Sequence, residues 1–416
     1  MSFEYRNNVL FCDGISIPEI VKSHETPFFL YSEDFIRRGA DVLKKAFIDK
    51  GINVSYALKA NSNIYLLNCM NKLGLDVDIV SGGELFVALK AGFTGDQISF
   101  AGTGKTESDI KYALESNIAQ FNVESSFELQ MIQKIAKSMH LTANVLLRIN
   151  PNIDAKTHPH ISTGLKENKF GIAMDEVDTI LHHPKRYPNI NIMGLHSHIG
   201  SQILNSEPFM TLIDFMRNYL EKLKNEGIHL THVDLGGGFG VDYTNPLQTP
   251  EENQFVLEKI GHYAKEQLSD YKLFIQPGRI LVGNAGLIIT KVLGEKLNSE
   301  KRFYIVDAGM TELIRPSLYS AYHAVLPLND THGKINADIV GPVCESTDFF
   351  SKNREIPKLH QGELVAIGSS GAYASSMSSN YNSRPFVAEL IVDSKQDVKT
   401  IRRRQTYEEM SQLYII

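Results

Sequence analysis

Lys59, in the stretch YALKAN, ends a short apolar run. Partial burial there would lower its amine pKa and make it a nucleophile able to form a Schiff base, whereas full solvation would leave an ordinary surface charge. HSHIGS places His196 and His198 on one face of an extended strand, because side chains alternate. Two such histidines suit zinc, as in barrel hydrolases, or one structural imidazole and one stacked on a ring. LGGGFG carries Gly236, Gly237 and Gly238, whose amides could approach a phosphate, although a tight turn would also need glycine. LFIQPGR sets Gln276 and Arg279 on either side of Pro277-Gly278, where a strand leaves the core. Arg315 and Tyr319 lie four residues apart in IRPSLY, and Cys344 adjoins Glu345 in GPVCES. Cationic and anionic groups of this kind suit an amino-acid substrate charged at both ends, while surface ion pairs would account for each singly. His158/His160 and His182/His183 fall in loop-like sequence and read as surface residues.

Positioning these groups requires a scaffold that gathers strand ends. Eight apolar strands follow in succession: NVSYALKAN, DVDIVSGGE, QISFAGTGK, AQFNVES, NVLLRINP, IMGLHSHIG, HVDLGGGFG and LFIQPGR. Amphipathic stretches with apolar residues three and four apart separate them. Strand–helix alternation implies a parallel sheet, and eight repeats predict a closed (β/α)8 TIM-type barrel. An open doubly wound sheet is the alternative, but no GxGxxG opens a helix after the first strand. Every strand ends on polar or glycine residues, Lys59, Asp78, Gly102, Glu124, Arg148, His198, Gly236 and Gln276 among them, which a barrel would bring to one face. AGTGKT fails as a nucleotide loop, since Ser99 stands where its first glycine is needed.

Beyond residue 280 the helical alternation stops, and LIITKVLGEKL, RFYIVDAG, GELVAIGS and PFVAELIVD predict a β-sandwich or β-barrel domain. The expected division is N-terminal strands over 1–31 joining that β-domain, the barrel over 32–279 and the β-domain over 280–416. The chain has 416 residues, 43% hydrophobic and 22% charged, with net charge −6. Nothing in that balance calls for nucleic acid or an anionic membrane. Neither a signal peptide nor a bilayer-length apolar run is visible. Cys12, Cys69 and Cys344 include no CxxC pair, so neither a disulfide framework nor a cysteine metal site is expected, and a cytoplasmic protein is.

Taken in order, YALKAN, SGGE, HSHIGSQ, GGGFG, PGR, DAGMTELIRPSLY, GPVCES and GAY…SSNYNSRP resemble the diaminopimelate decarboxylases, fold type III, alanine-racemase-like pyridoxal-phosphate enzymes. The resemblance runs from about residue 25 to about 395. It implies a barrel plus β-domain, a pyridoxal 5'-phosphate cofactor, and decarboxylation of meso-diaminopimelate to L-lysine by a homodimer with shared active sites. By motif, Lys59 would hold the cofactor, His198 would stack on its ring, and Asp78 would lie in the lysine's network. Ser201, Gly236, Gly237, Gly238 and Tyr373 would hold phosphate, with Gln276 and Gly278 also at the cofactor. Arg279, Arg315, Tyr319 and Tyr373 would meet substrate, the arginines and Tyr319 through its carboxylate. Cys344 would serve proton transfer and Glu345 would read the distal ammonium, both from the partner subunit.

Two positions depart from that family's pattern: Ala374 stands where glycine is usual, and Gln276 where glutamate pairs with the pyridine nitrogen. An amide supplies no charge, so a less protonated ring nitrogen and slower turnover are expected, with Gln276→Glu raising kcat. A sister decarboxylase of D-lysine, D-ornithine, arginine or carboxynorspermidine is the nearest alternative reading. A metal-dependent hydrolase using His196 and His198 and a non-catalytic descendant are the remoter ones.

Overall fold

A computed structural model describes residues 2–151, 153, 169–299, 301–329 and 333–415. The chain divides into two compact units, one of residues 1–39, 241–250 and 279–416, the other of 40–240 and 251–278. His158 and His160 lie outside the described residues.

In the second unit eight parallel strands close on themselves: Ile52–Ala57, Asp76–Ile79, Ile98–Phe100, Gln120–Val123, Ala143–Arg148, Ile190–His196, His232–Asp234 and Lys272–Ile275. The seam is the pairing of the last strand with the first, Leu273 opposite Ile52 and Ile275 opposite Val54. These are the eight strands read from the sequence, and the (β/α)8 barrel is the one expected. Polar side chains start the intervening helices. Asn63, Ser81, Thr106 and Ser125 each accept a backbone N–H two or three residues on, satisfying donors that a helix start leaves bare. Ser81 of the SGGE motif is thus a helix cap. Lys105 of AGTGKT is buried, donating to the Gly102 and Asn122 carbonyls and to Glu128 Oε1 at 2.7 Å, which makes it a structural residue.

The first unit carries the strand-rich domain that the sequence predicts. Phe349–Pro357, Lys334–Val340, Lys301–Val306, Gly286–Asn298, Phe28–Ser32, Ala388–Val392 and Val398–Arg402 lie in that order in one sheet. Leu364–Ile367 branches from Gly286–Asn298 and pairs with Val325–Pro327. Of the N-terminal stretches, Phe28–Ser32 becomes an interior strand of this sheet. Val9–Cys12 and Ile15–Ser16 instead pair with Phe3–Arg6 in a separate three-stranded sheet. Phe3, Leu10, Cys12, Ile17, Phe28, Leu30, Leu287 and Leu390 pack one core there. Each fully buried side chain of this size contributes about 1.5–3 kcal/mol. Residues 241–250 and Arg279, inside the 32–279 stretch expected for the barrel, fall in this unit. Among the described residues no helix is long and apolar enough to cross a membrane.

Candidate active site

In the barrel unit the strand ends carry a polar layer. Lys59 follows the first strand in a single tight turn, with 43% of its side chain exposed, and its Nζ stands 4.0 Å from Asp78 Oδ2. Asp78 itself is fully buried, and that oxygen accepts no hydrogen bond from the described residues. Its other oxygen accepts from Gln276 Nε2 at 3.0 Å. The same amide nitrogen donates to Asp234 Oδ2 at 2.8 Å. Asp234 is also buried, and it takes further donors from the Gly236 amide and Asn122 Nδ2. Burial raises both carboxyls, Asp78 to about 6 against the pull of Lys59, and Asp234 to about 7. Glu84, beside them and facing the Val80 amide, is raised to about 7, again mainly by burial.

His198 is held through its ring. The Gly237 N–H donates to His198 Nδ1 at 3.1 Å, so the imidazole proton sits on Nε2. Burial, then the cations Arg148 and Lys59, hold its pKa well below the usual range, and the ring is neutral. His196 is also buried, with its pKa driven down by the same burial and by Arg148. Arg148 pairs with Glu124 at 2.6 Å. Among the described residues no group of three His, Cys, Asp or Glu side chains is arranged to hold a metal ion.

The glycine run is demanded by packing. A Cβ on Gly237 would lie 2.1 Å from the Gln276 carbonyl, and one on Gly238, at φ +111°, would lie 2.4 Å from that of Gly200. Gly236 and Gly237 spend their amides on Asp234 and His198, whereas Gly238 and Phe239 have amides with no protein acceptor among the described residues. Ser201 follows the same loop as Gly200, and Gly278 packs against Ala57 and Ala60.

In the strand-rich unit a second cluster forms. Arg279 and Arg315 are both buried. Arg279 lies 4.7 Å from the Tyr373 ring and donates to the Tyr243 hydroxyl at 2.5 Å. Arg315 lies 4.4 Å from the Tyr243 ring and donates to His323 Nε2 at 2.7 Å. Tyr319 adds its field at both arginines. Tyr373 is held at φ +54°, a left-handed conformation that costs a non-glycine residue about 1–3 kcal/mol. Cys344 and Glu345 lie in an exposed turn, the Cys344 amide donating to Asn382 Oδ1 at 2.8 Å. His182 and His183 are surface residues as read, His182 facing Glu226 at 3.3 Å.

Sequence reasoning missed Asp234, Asn122, Tyr243 and His323. Asp234 alone carried a signal, being the polar residue directly before LGGGFG; the others depend on closure and packing.

The site fits an aldehyde-bearing aryl phosphate. Lys59 offers an amine beside a carboxylate oxygen with no hydrogen bond, the glycine loop offers bare amides, and His198 offers a flat, uncharged ring. Barrel and site together define an enzyme of the pyridoxal-phosphate class. A family model for the pyridoxal-binding domain of pyridoxal-dependent decarboxylases matches residues 33–283. The chain is 41% identical over 408 residues to diaminopimelate decarboxylase of Aquifex aeolicus, covering 97% of this chain and 95% of that one. It is 42% identical to that of Helicobacter pylori over 402 residues, covering 95% and 97%. A crystal structure of the Helicobacter pylori enzyme complexed with L-lysine superposes with TM-score 0.89 at 42% identity, over 96% of this chain and 99% of that one. One from M. jannaschii with L-lysine gives 0.92 at 35%, over 100% and 98%. The chain belongs to the pyridoxal-dependent decarboxylases and, within them, to the diaminopimelate decarboxylases.

Proposed function

We propose that the protein decarboxylates meso-2,6-diaminopimelate to L-lysine and CO2, the last step of lysine biosynthesis, with pyridoxal 5'-phosphate as cofactor. The observation that carries this reading is the Lys59 amine beside Asp78 at the barrel strand ends, in a chain that aligns over 97% of its length with a diaminopimelate decarboxylase. When bound, the cofactor supplies an electron sink for the pair left as the Cα–carboxylate bond breaks.

The chain's residues do the rest. Lys59 is the covalent anchor, and Asp78 Oδ2 is placed to take the proton its amine must give up. His198, neutral and tied to Gly237, supports an aromatic ring without adding charge. Ser201, Gly238 and Tyr373 are the phosphate donors, with Gly236, Gly237 and Gly278 shaping the loops. Arg279, Arg315 and Tyr319 bind a substrate carboxylate through charge-assisted hydrogen bonds. Glu345 reads the distal ammonium and Cys344 returns a proton to the Cα. We assign these two to the site of a second copy in a cytoplasmic homodimer, a role consistent with their exposure in one chain.

The purified protein is expected to be yellow, to lose its visible band on borohydride reduction, and then to carry the cofactor on Lys59 by peptide mass. A colourless protein without that adduct would refute the cofactor assignment. Steady-state kinetics on meso-diaminopimelate, D-lysine, D-ornithine, arginine and carboxynorspermidine test the substrate. A preference for any amine lacking the distal carboxylate would refute that choice.

A further inference from the structure

Arg315 is 6% exposed, and no carboxylate pairs with it among the described residues. Its NH1 donates to His323 Nε2 at 2.7 Å, and His323 is itself fully buried. The other ring nitrogen, Nδ1, lies 2.8 Å from the Gly368 carbonyl. A carbonyl oxygen can only accept, so Nδ1 carries the proton and Nε2 is bare. Two fixed partners therefore set one neutral tautomer. Burial and then the Arg315 charge keep it neutral, with the pKa lowered to about 3. The charges that act on this imidazole are those of Arg315, Arg279 and Arg354, the last donating to the His323 backbone carbonyl at 2.6 Å.

Tyr243 completes the arrangement. Its ring meets His323 edge-on, with centroids 5.0 Å apart and planes at 68°. Its face receives Arg315, and its hydroxyl accepts from Arg279. Arg315 is thus steadied by neutral groups, and the Tyr243 side chain joins it to Arg279. A buried arginine is ordinarily compensated by a carboxylate, which would cancel its charge and occupy its fork. A neutral acceptor at one nitrogen and an aromatic face below fix the fork while leaving its charge and remaining donors for something else.

We propose that His323 and Tyr243 are positioning residues that hold Arg315 and Arg279 fully charged for a substrate carboxylate, so that they set substrate affinity and not the rate of bond cleavage. This rests on the arginine roles given under Proposed function, and the experiment separates the two. In the holoenzyme, His323→Leu removes the acceptor. We expect KM for meso-diaminopimelate to rise roughly tenfold or more, as for loss of a charge-assisted contact, with kcat within about threefold and the cofactor absorbance unchanged. His323→Gln, which restores an acceptor oxygen, recovers at least half of the KM loss on a logarithmic scale.

Arg315→Leu is the control. If it leaves KM unchanged, the carboxylate role of Arg315 fails. If it raises KM while a folded His323→Leu does not, the positioning role fails and the histidine is merely structural. Should His323→Leu not fold, Tyr243→Phe decides, because it keeps the ring and deletes only the hydroxyl under Arg279. A KM rise of about threefold or more at unchanged kcat supports the proposal, and an unchanged KM overturns it.

Discussion

Gln276 is where the structure changes the chemistry expected from residue type. Its amide nitrogen donates both hydrogens to carboxylates, Asp78 and Asp234, so only Oε1 remains and the side chain can accept but not donate to anything further. Gln276→Glu would bring a third carboxylate to within hydrogen-bonding distance of two buried acids. Like charges so placed cannot all ionise, and the variant is expected to take up a proton instead of adding a charge. With Asp78 and Asp234 so close, an unimproved kcat is expected for Gln276→Glu, where residue type alone suggests a higher one, and steady-state kinetics checks which holds. The same carboxyls set a pH dependence. Asp78 at about 6 and Asp234 at about 7 sit above their unfolded values, so the native state binds more protons than the unfolded one between about pH 4 and pH 7. Their stabilisation is present at low pH and is lost as pH rises through those values. Denaturation of the apoprotein should show stability falling by about 1–3 kcal/mol from pH 5 to pH 7.5 on account of Asp234, and Asp234→Asn should flatten that slope.

At the scale of elements, the glycine loop after the seventh barrel strand is shaped by neighbouring backbone. Gly237→Ala would set a methyl against the Gln276 carbonyl, and the loop must move to accommodate it. Because Gly237 also orients His198, the expected result is a cofactor Kd raised at least tenfold, measured by absorbance titration, with a lower Tm. A helix cap is a milder case. Ser81→Ala removes the acceptor for the Glu84 amide and should cost about 1 kcal/mol in denaturant unfolding without touching KM. The contrast between these variants separates a loop that shapes the site from a cap that only starts a helix.

At the scale of the molecule, Cys344 and Glu345 mark the proposed assembly. Cys12 is buried in the strand-rich core, where burial raises its thiol pKa and makes it inert, whereas Cys344 is exposed. If each site takes Lys59 from one copy and Cys344 from the other, inactive Lys59→Ala and Cys344→Ala proteins should complement when their subunits are exchanged. A two-fold assembly would recover roughly a quarter of wild-type activity, because half of the dimers are mixed and each mixed dimer has one intact site. Absence of any recovery, with mixed dimers shown by native mass spectrometry, would refute sharing of the site.

The sequence by itself determined the barrel. Strand and helix periodicities are local, eight strands occur in order with amphipathic stretches between them, and the polar or glycine residue at every strand end is legible without coordinates. Lys59, His198 and the glycine run could be read as candidates for the same reason, since each sits where a strand stops. Only the tertiary structure decided how those candidates are wired. Asp78 and Gln276 are 198 residues apart, and no local pattern records that barrel closure brings their side chains together beside Asp234. The division of the glycine amides between His198 and Asp234 likewise depends on how adjacent loops pack. Residues 241–250 lie in mid-barrel sequence yet belong to the strand-rich unit, where Tyr243 meets Arg279, Arg315 and His323. Periodicity specifies which face of an element is apolar, but the partner of a buried polar group is chosen by closure and packing, after the elements have formed.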